Sequence, residues 1–381
     1  MRIFQVIESS TNSSLPDNRT WYRNLYEPLV EMGHEVILCP AEMGRQAKLT
    51  DNIELKHKFS QEMMDLFCNE HKKRPFDLAF FYLMDGMFER WAIEGIHKSN
   101  VITCNFSCNN IHQFYLVEKI SDLFDWNLHS EKEAAVKFKN IGVNALWWPM
   151  ASNPKYFHPM NVSRTIPVSF VGAKYGRRLE SIYQLLIAGI DVHTYGPNWE
   201  IEIPSINSIQ LLREIKHLIL EFPNNLKEKA VRSAEKAQND LHALAISQYP
   251  NNFHGPVSDD QLIQLYSESK ISLGSLDVFE NHNLLGRRLR HLHLREFEAP
   301  MSGALYCTDF SDELAEMFEP DKEVIMCHDD IERTDKISFY LRNETLANKI
   351  REAGLRRSLA DHTYHQRFHL LFKKLGLKNS G

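Results

Sequence analysis

Short apolar runs alternate with amphipathic stretches over roughly the first 160 residues, which is the pattern of βα units in a parallel sheet. The runs predict strands at residues 3–7, 35–39, 78–82, 101–106, 126–129 and 145–148. Leu25, Leu29 and Val30 recur at helical spacing and predict a helix over 22–32 that ends at Gly33, and a second helix is predicted over 131–140. The first part of the chain therefore predicts an α/β domain.

The same alternation starts again after a segment with four prolines, at positions 149, 154, 159 and 167. Strands are predicted at 168–171, 191–195, 271–273, 304–307 and 324–326, and helices at 179–188, 313–318, 331–342, 344–353 and 358–375. The restart predicts two sequential α/β domains, residues 1–158 and 159–360, followed by a C-terminal helix and tail over 361–381. The proline segment is expected to be the hinge, with the helix beyond His362 packing back against the first domain.

A block rich in Leu, Ile, Lys, Glu and Ala interrupts the second domain at about residues 200–250. Ile209, Leu212, Ile215 and Ile219 fall on one helical face, and Pro223 ends the run. The block predicts a helical insertion that covers the sheet. A homodimer contact or a platform for a second substrate is the alternative.

Charge and composition narrow the class of protein. Lys and Arg number 44 and Asp and Glu 50, a net charge of −6, so nucleic acid is not an expected partner. Six scattered cysteines do not form a disulfide framework, no apolar run is long enough to span a bilayer, and the first strand leaves no room for an export signal. The expected compartment is the cytoplasm.

Several cofactor signatures are missing from the sequence. It contains neither GxGxxG, nor the P-loop GxxxxGK[ST], nor Asp-x-Asp. His291-x-His293 and Cys104-x3-Cys108 lack a second pair at plausible spacing, so no metal site and no bound cofactor are expected. Neutralisation of a diphosphate by Arg, Lys and helix N-termini is favoured instead.

Ligands of doubly wound α/β domains bind beyond the carboxyl ends of the strands. In the first domain this rule selects the loops 9–14, 85–87 and 107–114, and in the second 172–178, 196–199, 274–283 and 308–311. His112 and Asp85 are the rival candidates for a group that deprotonates an acceptor hydroxyl. Each is also explained as a structural loop residue.

Cationic residues concentrate in two places of this acidic chain. Lys174, Arg177 and Arg178 follow the first strand of the second domain in a loop opened by Gly172, and residues 286–295 carry four arginines and two histidines. Several of those arginines are expected on a solvated helix face. Arg295 stands apart, because Glu298 follows it just before a small-residue turn that ends at Gly303. This arrangement predicts that Arg295 binds a diphosphate and Glu298 a ribose.

The stretches Leu294-Arg-Glu-Phe-Glu-Ala-Pro-Met-Ser-Gly-Ala304 and Phe318-Glu-Pro-Asp-Lys-Glu-Val324 resemble the CgeB-like glycosyltransferases, which are related to the retaining GT-B group. The resemblance extends to Phe170-Val-Gly172, Thr194-Tyr-Gly-Pro197, His254-Gly-Pro-Val257, and to Gly354 and the stretch from His362 to Arg367. It covers roughly residues 165–370 without the insertion, and the first domain matches more loosely.

The resemblance implies a GT-B fold, with two Rossmann-like domains facing a cleft. It implies metal-independent transfer of a hexose-type sugar from a nucleoside diphosphate sugar to a glycan, lipid-linked or protein hydroxyl, in bacterial glycan or surface or spore polysaccharide synthesis. Glu298 corresponds to the ribose-binding second glutamate of the family's Glu-x7-Glu motif, whereas Arg290 stands where the first is found. The implied donor site comprises Gly172, Lys174, Arg177, Arg178, Tyr195, Gly196, Gly255, Arg295, Glu298 and Gly303.

Two other functions stay open at this point. A nucleotide-sugar epimerase can share the two-domain architecture and needs no external acceptor. A non-catalytic homologue that binds a sugar or a protein is the other, because the first glutamate of the motif is missing at Arg290.

Overall fold

Two parallel β-sheets form the framework of the chain. The computed structural model describes residues 1–9, 19–200, 226–279 and 286–377. Within these residues each sheet has six strands, and a separate two-stranded hairpin lies beside the second sheet. The predicted architecture of two Rossmann-like α/β domains is confirmed.

The first sheet has the strand order β2-β1-β3-β4-β5-β6, and every pair is parallel. Its strands are β1 (Arg2–Ile7), β2 (Glu35–Pro40), β3 (Leu78–Phe81), β4 (Ile102–Ser107), β5 (Trp126–His129) and β6 (Ala145–Trp147). Its helices are α1 (Glu27–Glu31), which follows a π-helical turn Tyr22–Tyr26, α2 (Glu42–Thr50), α3 (Ile53–Lys73), α4 (Arg90–His97), α5 (Asn110–Gln113) and α6 (Ala135–Asn140). Because β1 and β3 are buried along their whole length, their sequences are apolar almost throughout.

The second sheet has the order β14-β13-β10-β7-β8-β9, again parallel throughout. Its strands are β7 (Ile166–Val171), β8 (Val192–Tyr195), β9 (Phe253–His254), β10 (Ser269–Leu273), β13 (Tyr306–Asp309) and β14 (Ile325–Cys327). Its helices are α7 (Arg178–Ile187), α8 (Leu226–Gln248), α9 (Asp259–Glu268), α10 (Arg295–Met301), α11 (Asp312–Ala315), α12 (Asp330–Arg342), α13 (Glu344–Asp361) and α14 (Tyr364–Leu375).

Several arginines of 286–295 were expected on a solvated helix face, and for Arg288 and Arg290 that expectation is wrong. Residues Arg288–Arg290 form strand β12, which pairs antiparallel with β11 (Asp277–Phe279). Leu289 is buried between two arginines, and both arginines form ion pairs with Asp277. Alternation of one apolar and two polar residues is a strand period, and the partner carboxylate lies on the neighbouring strand.

The C-terminal helix packs against the first domain, as expected. The ring of Phe368 lies 5.4 Å from that of Phe80 and 5.3 Å from that of Trp148, and the Trp148 indole donates to the Arg367 carbonyl at 3.0 Å. The predicted helix 358–375 is in fact two helices, because α13 continues to Asp361 and Thr363 caps α14 in a capping box with Gln366.

The predicted insertion at about 200–250 is described only in part. Residues 201–225, including Ile209, Leu212, Ile215 and Ile219, lie outside the described residues. The remainder contains α8, whose His242 and Ala245 are buried against the second sheet. In the part of the chain that the structure describes, no helix combines the length and the apolar character needed to cross a membrane.

Candidate functional site

A cavity of about 410 Å³ lies where the carboxyl ends of the two sheets face each other. Its walls come from loops that follow β4, β7, β8 and β9 and from the start of α10, which are the positions where parallel sheets bind ligands. The wall from the first domain and its connecting segment consists of Thr20, Trp21, Arg23, Asn24, Cys108, Asn109, Met150 and Phe157. The wall from the second sheet includes Val171, Gly172, Ala173, Tyr195, Gly196, Pro197, Pro256, Val257, Asp259, Leu262, Tyr266, His293, Leu294, Arg295 and Glu298.

The first-domain wall is aromatic and is held in place by a buried carboxyl. Trp21 packs on Tyr82 with ring centroids 4.6 Å apart, and the Tyr82 hydroxyl lies 3.2 Å from the Cys108 thiol. Glu131 accepts the backbone N–H groups of Asn109 at 2.6 Å and of Asn110 at 3.1 Å. Burial raises the pKa of Glu131 to about 7. The Glu131 contacts therefore hold the loop after β4 against the cavity.

Arg295 is the cation of the second-sheet wall. Its guanidinium carbon lies 5.5 Å from the centre of the Phe170 ring, and its buried Nη1 has no hydrogen-bond partner among the described residues. No carboxylate within the described residues forms an ion pair with Arg295. The neighbouring Glu296 instead accepts hydrogen bonds from the Tyr306 hydroxyl and the His293 backbone. Burial acts to lower the pKa of Arg295, but Tyr306 and Glu296 outweigh it and raise the pKa, so the side chain is cationic. A cation whose Nη1 has no hydrogen-bond partner in the described part of the chain is suited to an anionic ligand.

Arg178 is the second arginine beside Phe170, with its guanidinium carbon 5.5 Å from the centre of that ring. Its guanidinium donates to the Ala173 carbonyl at 2.9 Å and to the Tyr175 hydroxyl, and it stacks 3.6 Å from the centre of the Tyr175 ring. Burial and the positive charge of Arg295 lower the pKa of Arg178 to about 10. Two guanidinium groups thus sit close together near the end of β7, where an anion would relieve their repulsion.

Glu298 lies one turn along α10 from Arg295 and lines the same cavity. Burial raises the pKa of its carboxyl to about 8, with the negative charge of Asp259 adding to the shift and Arg295 opposing it. No hydrogen bond from the described residues reaches this carboxyl group. It is therefore available for the two hydroxyls of a ribose, as its place in the sequence predicts.

Replacement of Glu298 by glutamine is expected to stabilise the ligand-free protein more at pH 8 than at pH 5. A carboxyl whose pKa is raised in the folded state holds a proton that the unfolded chain has already lost, so stability falls as pH rises from the ordinary value near 4 to about 8. Glutamine does not titrate. The free energy of unfolding of Glu298→Gln relative to wild type should therefore increase by about 2–3 kcal/mol between pH 5 and pH 8. Chemical denaturation of both proteins at the two pH values measures it.

The matched control for that experiment is Glu352→Gln, because Glu352 is exposed on α13 with 69% of its side chain accessible. This substitution should change stability equally at both pH values. A Glu298→Gln variant whose stability relative to wild type does not depend on pH would contradict the raised pKa.

An ion pair crosses the mouth of the cavity between the two domains. Arg23 donates to Asp259 at 2.8 Å, and both side chains are largely buried. Arg23 also lies over the Tyr156 ring at 4.5 Å, and its carbonyl accepts from Asn153 at 2.7 Å. Asp259 contributes to the raised pKa of Glu298, and Arg23 pairs with Asp259 from the first domain. The first domain can therefore influence the pKa of Glu298.

Three of the cations predicted for the donor site occupy different surroundings. Arg178 has the contacts described above, whereas Lys174 points to α8, with its Nζ 3.0 Å from His242. Arg177 is 58% exposed and lies 4.0 Å from Glu180. Neither Lys174 nor Arg177 lines the cavity. A run of basic residues in one loop cannot by itself indicate which member faces inwards, because successive side chains leave the backbone in different directions.

The glycines predicted for the donor site also differ in whether they line the cavity. Gly172 and Gly196 line the cavity, and a Cβ on Gly196 would lie 2.6 Å from the Gly172 carbonyl oxygen. Gly255 lies one residue outside the wall, with its carbonyl accepting the Gly196 N–H at 3.0 Å. Gly303 has φ +73° after α10, and a Cβ there would meet Pro159 at 3.1 Å, away from the cavity. Its left-handed backbone ends the helix.

Neither acceptor-side candidate lines the cavity. Asp85 is half-buried in the loop after β3, its main-chain carbonyl accepts from Lys48 at 2.6 Å, and its carboxylate lies 4.0 Å from Lys119. His112 on α5 is nearer, because its ring centroid lies 5.2 Å from that of His291 beside the second-sheet wall. The structure thus places His112, rather than Asp85, close to the cavity.

Sequence reasoning missed several residues of the walls. Trp21, Arg23 and Asp259 carry no local signal, since Arg23 and Asp259 are 236 positions apart in the chain. His293 was singled out only as one half of a possible metal pair, yet it lines the cavity next to Arg295. Among the described residues no three His, Cys, Asp or Glu side chains come together as metal ligands.

Comparison with known proteins identifies what this architecture resembles. A family model described as glycosyl transferase-like matches residues 177–373, just over half of the chain. No curated protein sequence matches it significantly. Among solved structures, sucrose-phosphate synthase from Thermosynechococcus elongatus superposes with a TM-score of 0.58 at 12% identity, covering 98% of this chain and 99% of that one.

Two further structures show the same arrangement of domains. A glycosyltransferase from Rickettsia africae superposes with a TM-score of 0.60 at 13% identity, over 100% of this chain and 99% of that one. HepE from Anabaena, in complex with UDP and glucose, does so with a TM-score of 0.56 at 9% identity, over 99% of both chains. At these identities the likeness establishes a shared fold, which is the GT-B fold.

Proposed function

The chain belongs to the glycosyl transferase-like family, and on that premise we propose that it transfers a sugar from a nucleoside diphosphate sugar to a hydroxyl group of an acceptor. The donor occupies the second-sheet wall of the cavity, and the acceptor approaches along the first-domain wall. HepE, which has the same fold, binds UDP, glucose and UDP-glucose, and this supports a nucleotide sugar as the donor class.

The observation that carries the proposal is the pair of arginines beside Phe170: Arg178, which is buried, and Arg295, which is partly exposed but has a buried Nη1 without a hydrogen-bond partner in the part of the chain that the structure describes. Neither has a carboxylate partner among the described residues, and each lies 5.5 Å from the centre of the Phe170 ring. A diphosphate supplies the two negative charges that this pair lacks, and guanidinium groups bind phosphate oxygens with two parallel N–H donors. Arg295 contacts the diphosphate in this proposal, and Arg178 acts on it through charge.

Glu298 binds the ribose in this proposal, because its carboxyl lies on the same wall as Arg295 and has no partner among the described residues. The transfer then breaks the bond between the sugar and the diphosphate, and negative charge accumulates on the leaving phosphate. Arg295, which lines the cavity, stabilises that charge. We propose that no metal ion is required.

The acceptor and compartment are proposed more broadly. Trp21 lines the cavity, and an indole there is suited to packing against a sugar ring, so the proposed acceptor class is a glycan, free or carried by a lipid or protein. A hexose-type donor, a role in bacterial glycan or surface polysaccharide synthesis, and a cytoplasmic location remain parts of the proposal. The location is supported by six cysteines that are all free thiols.

A binding protein without catalytic activity is the second candidate, and one observation favours it. Arg290 stands at the position of the missing first glutamate, donates to the Phe310 carbonyl at 2.6 Å and pairs with Asp277 at 3.4 Å. It does not line the cavity. A carboxylate that would face the transferred sugar from this position is therefore absent from the chain.

A thermal-shift panel of UDP, GDP, ADP and their common sugar conjugates tests the proposal. A ligand at 100 times its dissociation constant stabilises the folded protein by about 2.7 kcal/mol, so at least one nucleoside diphosphate should raise the melting temperature by several degrees. Nucleoside monophosphates and free sugars, which lack the diphosphate, should raise it much less. No shift with any of these compounds would contradict a nucleotide-sugar site.

Turnover of the binding donor then separates the candidates. Glycosyl transfer to added glycans should release nucleoside diphosphate and should persist in EDTA. Loss of transfer in EDTA with recovery in Mg²⁺ would contradict metal independence. Binding without turnover would favour the binding protein, and interconversion of the donor without an acceptor would identify an epimerase.

A further inference from the structure

Three histidines form a cluster beside the cavity, and only one of them lines it. The ring centroid of His112, from the first domain, lies 5.2 Å from that of His291, and His291 lies 4.1 Å from His293. His291 is buried with its Nδ1 3.2 Å from the Leu292 carbonyl, so it is held by its own backbone. His293 is the member that lines the cavity, between Tyr266 and Arg295.

The surrounding contacts hold the His293 imidazole in one place. The Tyr175 hydroxyl accepts from Arg178 and forms a second hydrogen bond with His293 Nε2, which lies 3.3 Å from it. Glu296 accepts the backbone N–H of His293 and the Tyr306 hydroxyl, the latter at 2.6 Å. The remaining nitrogen, Nδ1, is buried, makes no hydrogen bond within the described residues and lies 3.7 Å from a Glu296 oxygen.

Charge around His293 depends on whether an anion is present. In the free protein, burial and the nearby Arg295 and Arg178 hold the pKa of His293 well below its ordinary value, with His112 adding to the effect. The groups that face the ring from the elements around it are Arg295, Glu296, Arg178, Tyr175, Tyr306, His112 and His291. A diphosphate beside the two arginines offsets the charges that disfavour the imidazolium, so its arrival favours protonation.

We propose that His293 is a catalytic residue, which takes up a proton when a nucleoside diphosphate sugar binds and donates it to the departing diphosphate. This inference rests on the proposed function. The bond between the anomeric carbon and the bridging phosphate oxygen breaks with both electrons staying on the oxygen, and the proton of His293 neutralises one of the charges formed. The acceptor oxygen bonds to the anomeric carbon, and the acceptor's own proton passes to the solvent. His293 ends the cycle neutral, ready for the next donor.

Calorimetric titration in buffers of different ionisation enthalpy measures the proton directly. The protein is titrated at pH 7 with UDP-glucose, UDP-N-acetylglucosamine and GDP-mannose, whose diphosphates are esterified at both ends and carry no proton that titrates near pH 7. The slope of the observed enthalpy against the buffer enthalpy gives the number of protons taken up. Wild-type protein should take up close to one proton per bound donor, and the affinity should increase as pH falls from 8 to 6.

Two variants assign that proton to a residue. His293→Gln keeps a hydrogen-bonding side chain opposite Tyr175, should lose most of the uptake and should lower kcat by about 10²-fold or more with a smaller change in KM. His291→Gln, 4.1 Å away and outside the cavity wall, should retain the uptake. Glu298 is present in both variants, so its own titration does not account for a difference between them.

The possible results distinguish the proposed donor site from the proposed role of His293. If none of the three sugar nucleotides binds, the proposed donor site is contradicted and the inference falls with it. If a donor binds without proton uptake, or with equal uptake by wild type and His293→Gln, His293 is not the proton donor while the donor site stands. Should His293→Gln fail to fold, the wild-type uptake and its pH dependence still decide: an affinity that does not rise as pH falls overturns the inference.

Discussion

Replacement of Arg295 by methionine is expected to lower kcat/KM for transfer by about 10³-fold and to weaken nucleoside diphosphate binding by 10- to 100-fold. A charge-assisted hydrogen bond to a ligand contributes about 1–3 kcal/mol to binding, and the loss is larger in the transition state, where the phosphate charge grows. Titration calorimetry with the diphosphate identified by thermal shift, together with steady-state kinetics, measures both effects.

The ligand-free Arg295→Met protein should remain folded and should not melt below wild type. Methionine has a similar length and removes a cation that lowers the pKa of Arg178, so a repulsion disappears while the packing against Phe170 is kept. Arg177→Met is the matched control, because Arg177 is 58% exposed and lies outside the cavity wall. Equal affinity in Arg295→Met and wild type, or an equal loss in the control, would contradict the assignment of the diphosphate to Arg295.

Substitution of Gly172 by alanine should reduce donor affinity by at least 10-fold without touching a charged residue. A Cβ at this position would lie 2.7 Å from both terminal nitrogens of Arg295 and 3.0 Å from its guanidinium carbon, at a backbone φ of +155°. Since the clash is with the free end of a flexible side chain, the expected response is displacement of Arg295 from the wall rather than unfolding. Calorimetry with the same diphosphate measures the loss.

Gly189→Ala separates backbone strain from displacement of Arg295. Gly189 has φ +81°, and nothing lies within 4 Å of a Cβ there, so alanine adds strain alone. This control should lose about 1 kcal/mol of stability and keep the wild-type affinity for the diphosphate. The close-approach explanation for Gly172 would fail if both alanine variants lost affinity to the same extent.

The sequence by itself determined the framework of the molecule. The buried strands β1 and β3 are short runs of mostly apolar residues, and for this reason both were located to within a residue. The restart of the pattern after the proline segment predicted the second sheet. Arg295 and Glu298 could be selected together because they stand at a helix start just before a small-residue turn, and the structure places both on one cavity wall.

The errors of sequence reasoning arose where the pattern was short or depended on a distant partner. Arginines of the strand Arg288–Arg290 were expected on a solvated helix face, because three residues are too few to separate the helical from the strand period. The partner strand carries Asp277, which pairs with both arginines. The two-residue strand Phe253–His254 was missed for the same reason. Such elements form because a neighbouring strand supplies their hydrogen bonds.

Only the tertiary structure decided which side chains share the cavity and what charge they carry. Of the loop cations, Lys174 is directed to His242 and Arg178 to Tyr175, and sequence spacing could not distinguish them. The pKa of Glu298 depends on burial and on Asp259, which Arg23 reaches from the other domain. The pKa of His293 is lowered by burial and by Arg295 and Arg178, which approach it only after folding. Local patterns specify backbone conformation because neighbouring residues determine it, whereas charge and protonation depend on desolvation and on groups hundreds of positions away in the chain.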